Sequence, residues 1–251
     1  MNITKLICAH FSPTGGTKRV ADAIVTGFDL PVTEVDLTAD ASACSAEEGD
    51  LLLAVLPVYA GRIPKVALDR LSAIRGRGNK AVAVVVYGNR EFDDALLETK
   101  NTLEASGYEV MAAAAFIAEH SIVRTVASGR PDEEDEQIAH EFAKAVVEKL
   151  QDPSSVQVPG NLPYAEHPAT PFHPSADEAC VRCGICAKAC PTGAISMDDL
   201  GTCKADLCIN CMRCVQLCPL QCRSMPAPFM AWITQMLKEN ASGYKKPAIF
   251  L

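Results

Sequence analysis

Ten cysteines lie between Cys180 and Cys222, and no other feature of the 251-residue chain restricts its folding as much. Their spacing is written twice: Cys180-x2-Cys183-x2-Cys186-x3-Cys190-Pro191, then Cys208-x2-Cys211-x2-Cys214-x3-Cys218-Pro219, at a constant offset of 28 residues. Three thiols spaced by two residues come from one tight loop and can converge on a common centre. In a reducing compartment such a cluster is a metal site rather than a disulfide frame. Zinc is the competing reading, but zinc sites pair C-x2-C units at one tetrahedral centre. Here each run has a third Cys in the same loop and a closing Cys-Pro. Cys203 and Cys222 have no counterpart in the repeat; with Cys8 and Cys44 they read as ordinary small side chains.

The doubled run resembles that of bacterial two-cluster ferredoxins. The resemblance implies two 4Fe–4S clusters with the crossed ligation of that family. One cluster would take Cys180, Cys183, Cys186 and Cys218; the other would take Cys208, Cys211, Cys214 and Cys190. Crossed ligation would let so small a core fold around its metal.

The first 179 residues contain only Cys8 and Cys44, which marks a separate domain at 1–150. Short runs at 3–10, 32–37, 51–56, 81–87 and 109–117 are strand candidates, and several are nearly continuous Val, Ile, Leu and Ala, as strands covered on both faces of a parallel sheet are. Helical patterns at 16–27, 64–74, 92–106 and 132–150 alternate with them. The third sets Phe92, Leu96, Thr99 and Leu103 on one side and stops at Gly107, and the fourth opens with an acidic turn, Asp132 to Glu136. Five strands alternating with helices predict a doubly wound α/β sheet, with ligands outside the carboxyl ends of the strands.

At the first such end stands Ser12-Pro13-Thr14-Gly15-Gly16-Thr17-Lys18, followed by a helix. Hydroxyls and small residues at a helix start make an anion site. Neither a Walker A loop nor G-x-G-x-x-G is present; a Ser/Thr cap on a glycine turn is the plainer alternative. S-x-T-G-x-T after the first strand resembles the FMN phosphate loop of flavodoxins. That resemblance implies phosphate contacts from Ser12, Thr14, Gly15, Gly16 and Thr17. It also implies flavin-ring contacts from the loops after the third and fourth strands. Tyr59 would stack on the ring, Ala60 and Gly61 would supply the peptide facing it, and Gly88 and Asn89 would meet its edge. Residues 118–130 follow no simple pattern, and His120 reads as a structural histidine rather than a catalyst.

Residues 151–175 hold six prolines, the composition of an extended, semi-rigid linker. The cysteine-rich unit spans 176–225. A C-terminal helix and tail, 226–251, place Phe229, Trp232, Ile233, Met236 and Leu237 on one helix face, which suits packing on the rest of the protein.

Taken together, the chain resembles a flavodoxin–ferredoxin fusion of the kind found in anaerobic microbes. The resemblance implies electron transfer between two low-potential clusters and FMN. A flavin-dependent reductase of a small acceptor such as a quinone is the enzymatic alternative; a redox sensor without turnover is a third. Residues 1–150 carry 23 acidic and 15 basic side chains and the remainder carries 8 of each. That acidity argues against nucleic acid and for redox partners with a basic docking surface. No apolar run reaches the length of a membrane span, and no secretory signal is evident, so a cytoplasmic protein is expected. A fragment ending near Leu150 is expected to fold alone.

Overall fold

The computed structural model describes residues 3–39, 45–166 and 170–251; Cys44 lies outside them. The five apolar runs form β1 (Lys5–His10), β2 (Val32–Asp36), β3 (Asp50–Pro57), β4 (Asn79–Tyr87) and β5 (Tyr108–Ile117). Every residue of β3 is buried, which is why its run lacks alternation. These strands pair in parallel in the order β2-β1-β3-β4-β5, the flavodoxin-like doubly wound order.

Helices α1 (Gly16–Val25), α2 (Lys65–Ser72), α3 (Ala95–Ala105) and α4 (Glu133–Lys149) link them. Val20 and Ile24 of α1 meet Phe142 and Val146 of α4 on one face of the sheet. Ala67 and Leu71 of α2 join Leu96 and Leu103 of α3 on the other. A capping box starts α4: Asp132 accepts from the Asp135 backbone N–H at 3.1 Å, and Asp135 accepts from that of Asp132 at 3.0 Å. Both carboxylates stand at the positive end of the helix.

The cysteine-rich unit contains little regular structure. β6 (Ser175–Ala176) pairs antiparallel with β7 (Arg223–Ser224), and α5 (Ile185–Lys188) and α6 (Arg213–Gln216) are single turns. The 28-residue repeat reappears in the backbone. Arg182 and Asn210 have φ of 57° and 51°, Gly184 and Met212 77° and 64°, Gly193 and Gln221 66° and 52°. Each cysteine run therefore needs left-handed residues at the same places, even where the second run supplies no glycine. The core of the unit is slight: Ile195, Leu200 and Cys214.

Helix α7 (Ala227–Asn240) turns Phe229, Ile233 and Leu237 onto Val123, Met212 and Met225. Trp232, expected on that face, is 59% exposed. The tail then forms β8 (Ala248–Phe250), antiparallel on β5 with Ala113 opposite Phe250 and Ala115 opposite Ala248. The sheet thus has six strands, one more than its sequence pattern predicts, and the tail covers the β5 edge.

The proline-rich segment is fastened along the α/β domain. Val156 is buried in the core, and its N–H donates to Val110 at 3.2 Å. The Asp94 carboxylate accepts from the N–H groups of Asn161 at 2.9 Å and Ala165 at 2.8 Å, and from Asn161 Nδ2 at 3.1 Å. Asn101 Nδ2 donates to Tyr164 Oη at 2.7 Å, and Arg62 lies 4.6 Å over the Tyr164 ring.

Candidate cofactor sites

The loop between β1 and α1 folds around Ser12. Its N–H donates to Thr38 Oγ1 at 2.7 Å, and its own Oγ accepts from the Lys18 N–H at 2.9 Å. That hydroxyl therefore caps α1, and its proton is left to donate elsewhere. Gly15 has φ +89°, and a Cβ there would meet nothing within 4 Å. Backbone conformation, not crowding, reserves the position for glycine. Thr14 is half-buried and Thr17 buried. Among the described residues the N–H groups of Gly16 and Thr17 meet no acceptor, which leaves two donors at the positive end of α1. The cysteine-rich unit adds a cation: Arg213 Nη1 donates to the Pro13 carbonyl at 2.9 Å, while its buried Nε has no partner. Unpaired N–H donors, a hydroxyl and a guanidinium are a donor set that fits a phosphate. Sequence inspection missed Arg213 because it sits inside a metal motif.

At the end of β3, Tyr59 and Arg62 close a tight turn with backbone bonds of 2.8 and 3.2 Å. Ala60 and Gly61 are both left-handed, with φ of 51° and 83°, as a two-residue turn of this hand requires. The Asp93 carboxylate occupies the space a Gly61 side chain would need. Burial raises the Tyr59 hydroxyl well above its ordinary value, and the charge of Cys211 acts in the same direction. At the end of β4 the His120 ring fills the space beside Gly88. Asn89 Nδ2 donates to the carbonyls of Ala241 at 2.7 Å and Gly243 at 2.9 Å, and its buried Oδ1 is left without a partner. The tail thus takes the Asn89 donors and leaves one acceptor. His120 Nδ1 accepts from the N–H groups of Ile122 at 3.2 Å and Val123 at 3.1 Å. Burial lowers its pKa to about 4, so the ring is neutral near pH 7 with its proton on Nε2.

The cysteines ring two cavities. Cys180, Cys183, Cys186 and Cys218 line the first, a concave space partly open to solvent. Cys190, Cys208, Cys211 and Cys214 line the second. The fourth thiol of each set comes from the other run. Cys222 also faces the first cavity and Cys203 the second, a placement the repeat does not foreshadow. Burial pushes the Cys211 thiol up to about 12 and that of Cys214 to about 11, so a metal is needed to hold either as thiolate. Among the described residues no three His, Cys, Asp or Glu side chains gather closely enough to hold a single ion. Four thiols of the two runs around each space are a donor set that fits a metal–sulfur group. Cys8 is buried in the sheet, and burial raises its thiol to about 12, which leaves it inert.

The two regions meet at the second cavity. Ile209, from its wall, packs on the α/β core. Arg213 reaches the phosphate loop, and Arg70 Nη2 donates to the Pro191 carbonyl at 2.8 Å. Among the described residues no helix is long and apolar enough to cross a membrane.

Residues 179–222 match the family model of the 4Fe-4S dicluster domain. Among solved structures, the chain is similar to a flavodoxin of Streptococcus pneumoniae TIGR4, with 17% identity over 58% of this chain and 99% of that one, at a TM-score of 0.43. Flavodoxin 2 of Bacillus cereus gives 20% identity over 58% and 99%, at 0.42. Rubredoxin oxygen:oxidoreductase of Desulfovibrio gigas gives 14% over 60% of this chain and 37% of that one, at 0.43. No curated protein matches the chain. By strand order and by family match, the chain joins an α/β domain of flavodoxin-like fold to a 4Fe-4S dicluster domain.

Proposed function

We propose that the protein is an electron-transfer flavo-iron–sulfur protein that passes electrons between two 4Fe–4S clusters and a bound FMN. Clusters carry single electrons and FMN accepts one or two, so the pair can convert between one- and two-electron chemistry. Cys180, Cys183, Cys186 and Cys218 hold one cluster; Cys190, Cys208, Cys211 and Cys214 hold the other. Ser12, Thr14, Gly15, Gly16 and Thr17 bind the FMN phosphate, with Arg213 as an added cation. Tyr59, Ala60, Gly61, Gly88 and Asn89 surround the ring, and the neutral His120 backs Gly88. The units are an FMN domain at 1–150, a connecting segment at 151–175, a two-cluster domain at 176–225 and a tail at 226–251.

The observation that carries this reading is the contact of the second cavity's wall with the α/β domain, through Ile209 on its core and Arg213 on the Pro13 carbonyl. Arg213, two residues after Cys211, contacts the phosphate loop. Arg213 thus places the second cavity beside the phosphate loop. The first cavity, with Cys183 exposed at its edge, is the side from which an external partner exchanges electrons. The acidity of residues 1–150 favours a basic partner whose association slows as salt rises.

Anaerobic isolation followed by iron, sulfide and flavin analysis tests the reading. The expected content is about eight iron, about eight sulfide and about one FMN per chain. Zinc in place of iron, or no FMN after reconstitution, overturns it.

A further inference from the structure

The internal repeat breaks at one core position. Five residues after Cys190 stands Ile195, buried in the small core beside Leu200 and Cys214. At the same place after Cys218 stands Arg223, which is 2% exposed. A guanidinium does not lose its proton in a protein, so the cysteine-rich unit carries a permanent charge where its other half carries an isoleucine.

No carboxylate among the described residues neutralises Arg223. Nη1 donates to the Leu200 carbonyl at 2.6 Å, and Nη2 donates to the carbonyls of Pro174 at 3.2 Å and Thr202 at 3.1 Å. These are dipoles, and among the described residues no carboxylate pairs with it. Nε is buried without any acceptor. A buried charge without a counter-charge is strongly unfavourable, so an anion is required. The remaining contacts are sulfurs: Nη1 lies 4.0 Å from Cys186 Sγ, and Nη2 lies 3.4 Å from Cys203 Sγ. Cys214 also lies within reach of its charge. Cys186 lines the first cavity, whereas Cys203 and Cys214 line the second. Arg223 itself lines the first, and its carbonyl partner Pro174 lines the second.

We infer that Arg223 is the shared counter-ion of the two cysteine-lined cavities, a fixed cation between two anionic metal–sulfur groups that raises both reduction potentials together. The inference rests on the cluster reading given above. Each cluster with four thiolate ligands is anionic and becomes more so on reduction, so a desolvated cation beside it favours the reduced form. One side chain acting on both keeps the two potentials in step, and that favours exchange between them. No other described residue bridges the two sets of sulfurs in this way.

The test is an EPR-monitored redox titration of the anaerobic full-length protein and of Arg223→Met and Arg223→Lys, each with iron and sulfide counts. Arg223→Met is expected to keep the wild-type counts and to lower the reduction equilibrium of both clusters about tenfold, which is about 59 mV for one electron. Arg223→Lys retains the charge and is expected to recover most of that shift. If Arg223→Met loses its clusters while Arg223→Lys keeps them at near wild-type potentials, the requirement for charge is equally supported. Unchanged potentials in a fully loaded Arg223→Met, a shift in one cluster only, or equal damage from both variants would overturn the inference. Failure of the cluster reading looks different: the wild-type protein itself would lack iron and sulfide, and the inference would fall with it.

Discussion

The α/β domain and the cysteine-rich unit are held together by different means. The first buries two apolar layers, one on each face of its sheet, from Leu6, Val55 and Phe116 on one side to Ile7, Leu56 and Ile117 on the other. The second buries Ile195, Leu200 and Cys214, and at the matching core position it buries a cation. An apolar sheet folds by excluding water from its own side chains. A unit of some fifty residues with so small a core needs another source of cohesion. Cysteines ringing two cavities supply it only when metal binds them. The contrast teaches that one half is a scaffold that exists before its cofactor, whereas the other is completed by it.

The largest effect that would sharpen this contrast is metal removal. Anaerobic chelation, or Cys183→Ala together with Cys211→Ala, is expected to abolish the native structure of 176–225 and leave the α/β domain folded. Hydrogen exchange resolves the two regions. Cooperative loss of both at once would show that the scaffold also depends on metal.

The next tests whether the scaffold is independent of the tail. The sequence suggests a fragment ending near Leu150, but the structure gives that fragment an open β5 edge and removes Val156 from its core. Deleting 246–251 removes the three paired residues of β8. At about 1 kcal/mol for each net hydrogen bond, the cost is about 2–4 kcal/mol. Urea denaturation of the α/β domain measures it, and an unchanged midpoint would make the tail dispensable.

A smaller effect is expected at the phosphate loop. Gly15→Val forces a β-branched residue into φ +89°, at a cost of about 1–2 kcal/mol or more. FMN affinity should fall at least about tenfold, whereas Gly15→Asn, which tolerates that conformation, should lose less. Equal affinity in all three proteins, by fluorescence titration, would move the phosphate elsewhere.

The last concerns His120 and appears only as pH falls. Its folded pKa of about 4 lies below the unfolded value of 6.5. Its contribution to stability is therefore fully present above pH 6.5 and is lost as pH falls from there toward 4. The slope is at most about 1.4 kcal/mol per pH unit. Denaturation midpoints measured against pH should show this slope in the native protein and lose it in His120→Gln. Asp94 behaves in the same sense at lower pH: N–H groups from Ala165 and Asn161 lower its pKa below the ordinary 3.8. The grip on the connecting segment is thus complete above that value and is released as pH falls through the lowered one.

The parts of this fold that were readable in advance are those where many residues repeat one message. β3, β4 and β5 announced themselves by nearly unbroken Val, Leu and Ala, and the 4Fe-4S dicluster match by a spacing written twice. Ala248–Phe250 is too short for any period, and its strand character comes from the open edge it covers. Val156 is one apolar residue in a proline-rich stretch, and only the fold reveals that it is core. Asn89 follows the end of β4, but its amide turns to carbonyls more than 150 residues away. Arg223 was hidden because a charged residue in a short strand reads as surface. Its alignment with Ile195 through the repeat was the signal that could have exposed it.

The central claim is that the two halves exchange electrons within one chain. Anaerobic stopped-flow absorbance of the flavin, after rapid reduction of the clusters, tests it most directly. The account predicts flavin reduction at a first-order rate that does not change over a tenfold range of protein concentration, as an intramolecular step requires. A rate that rises in proportion to protein concentration would contradict it and would assign the two cofactor sets to separate partners.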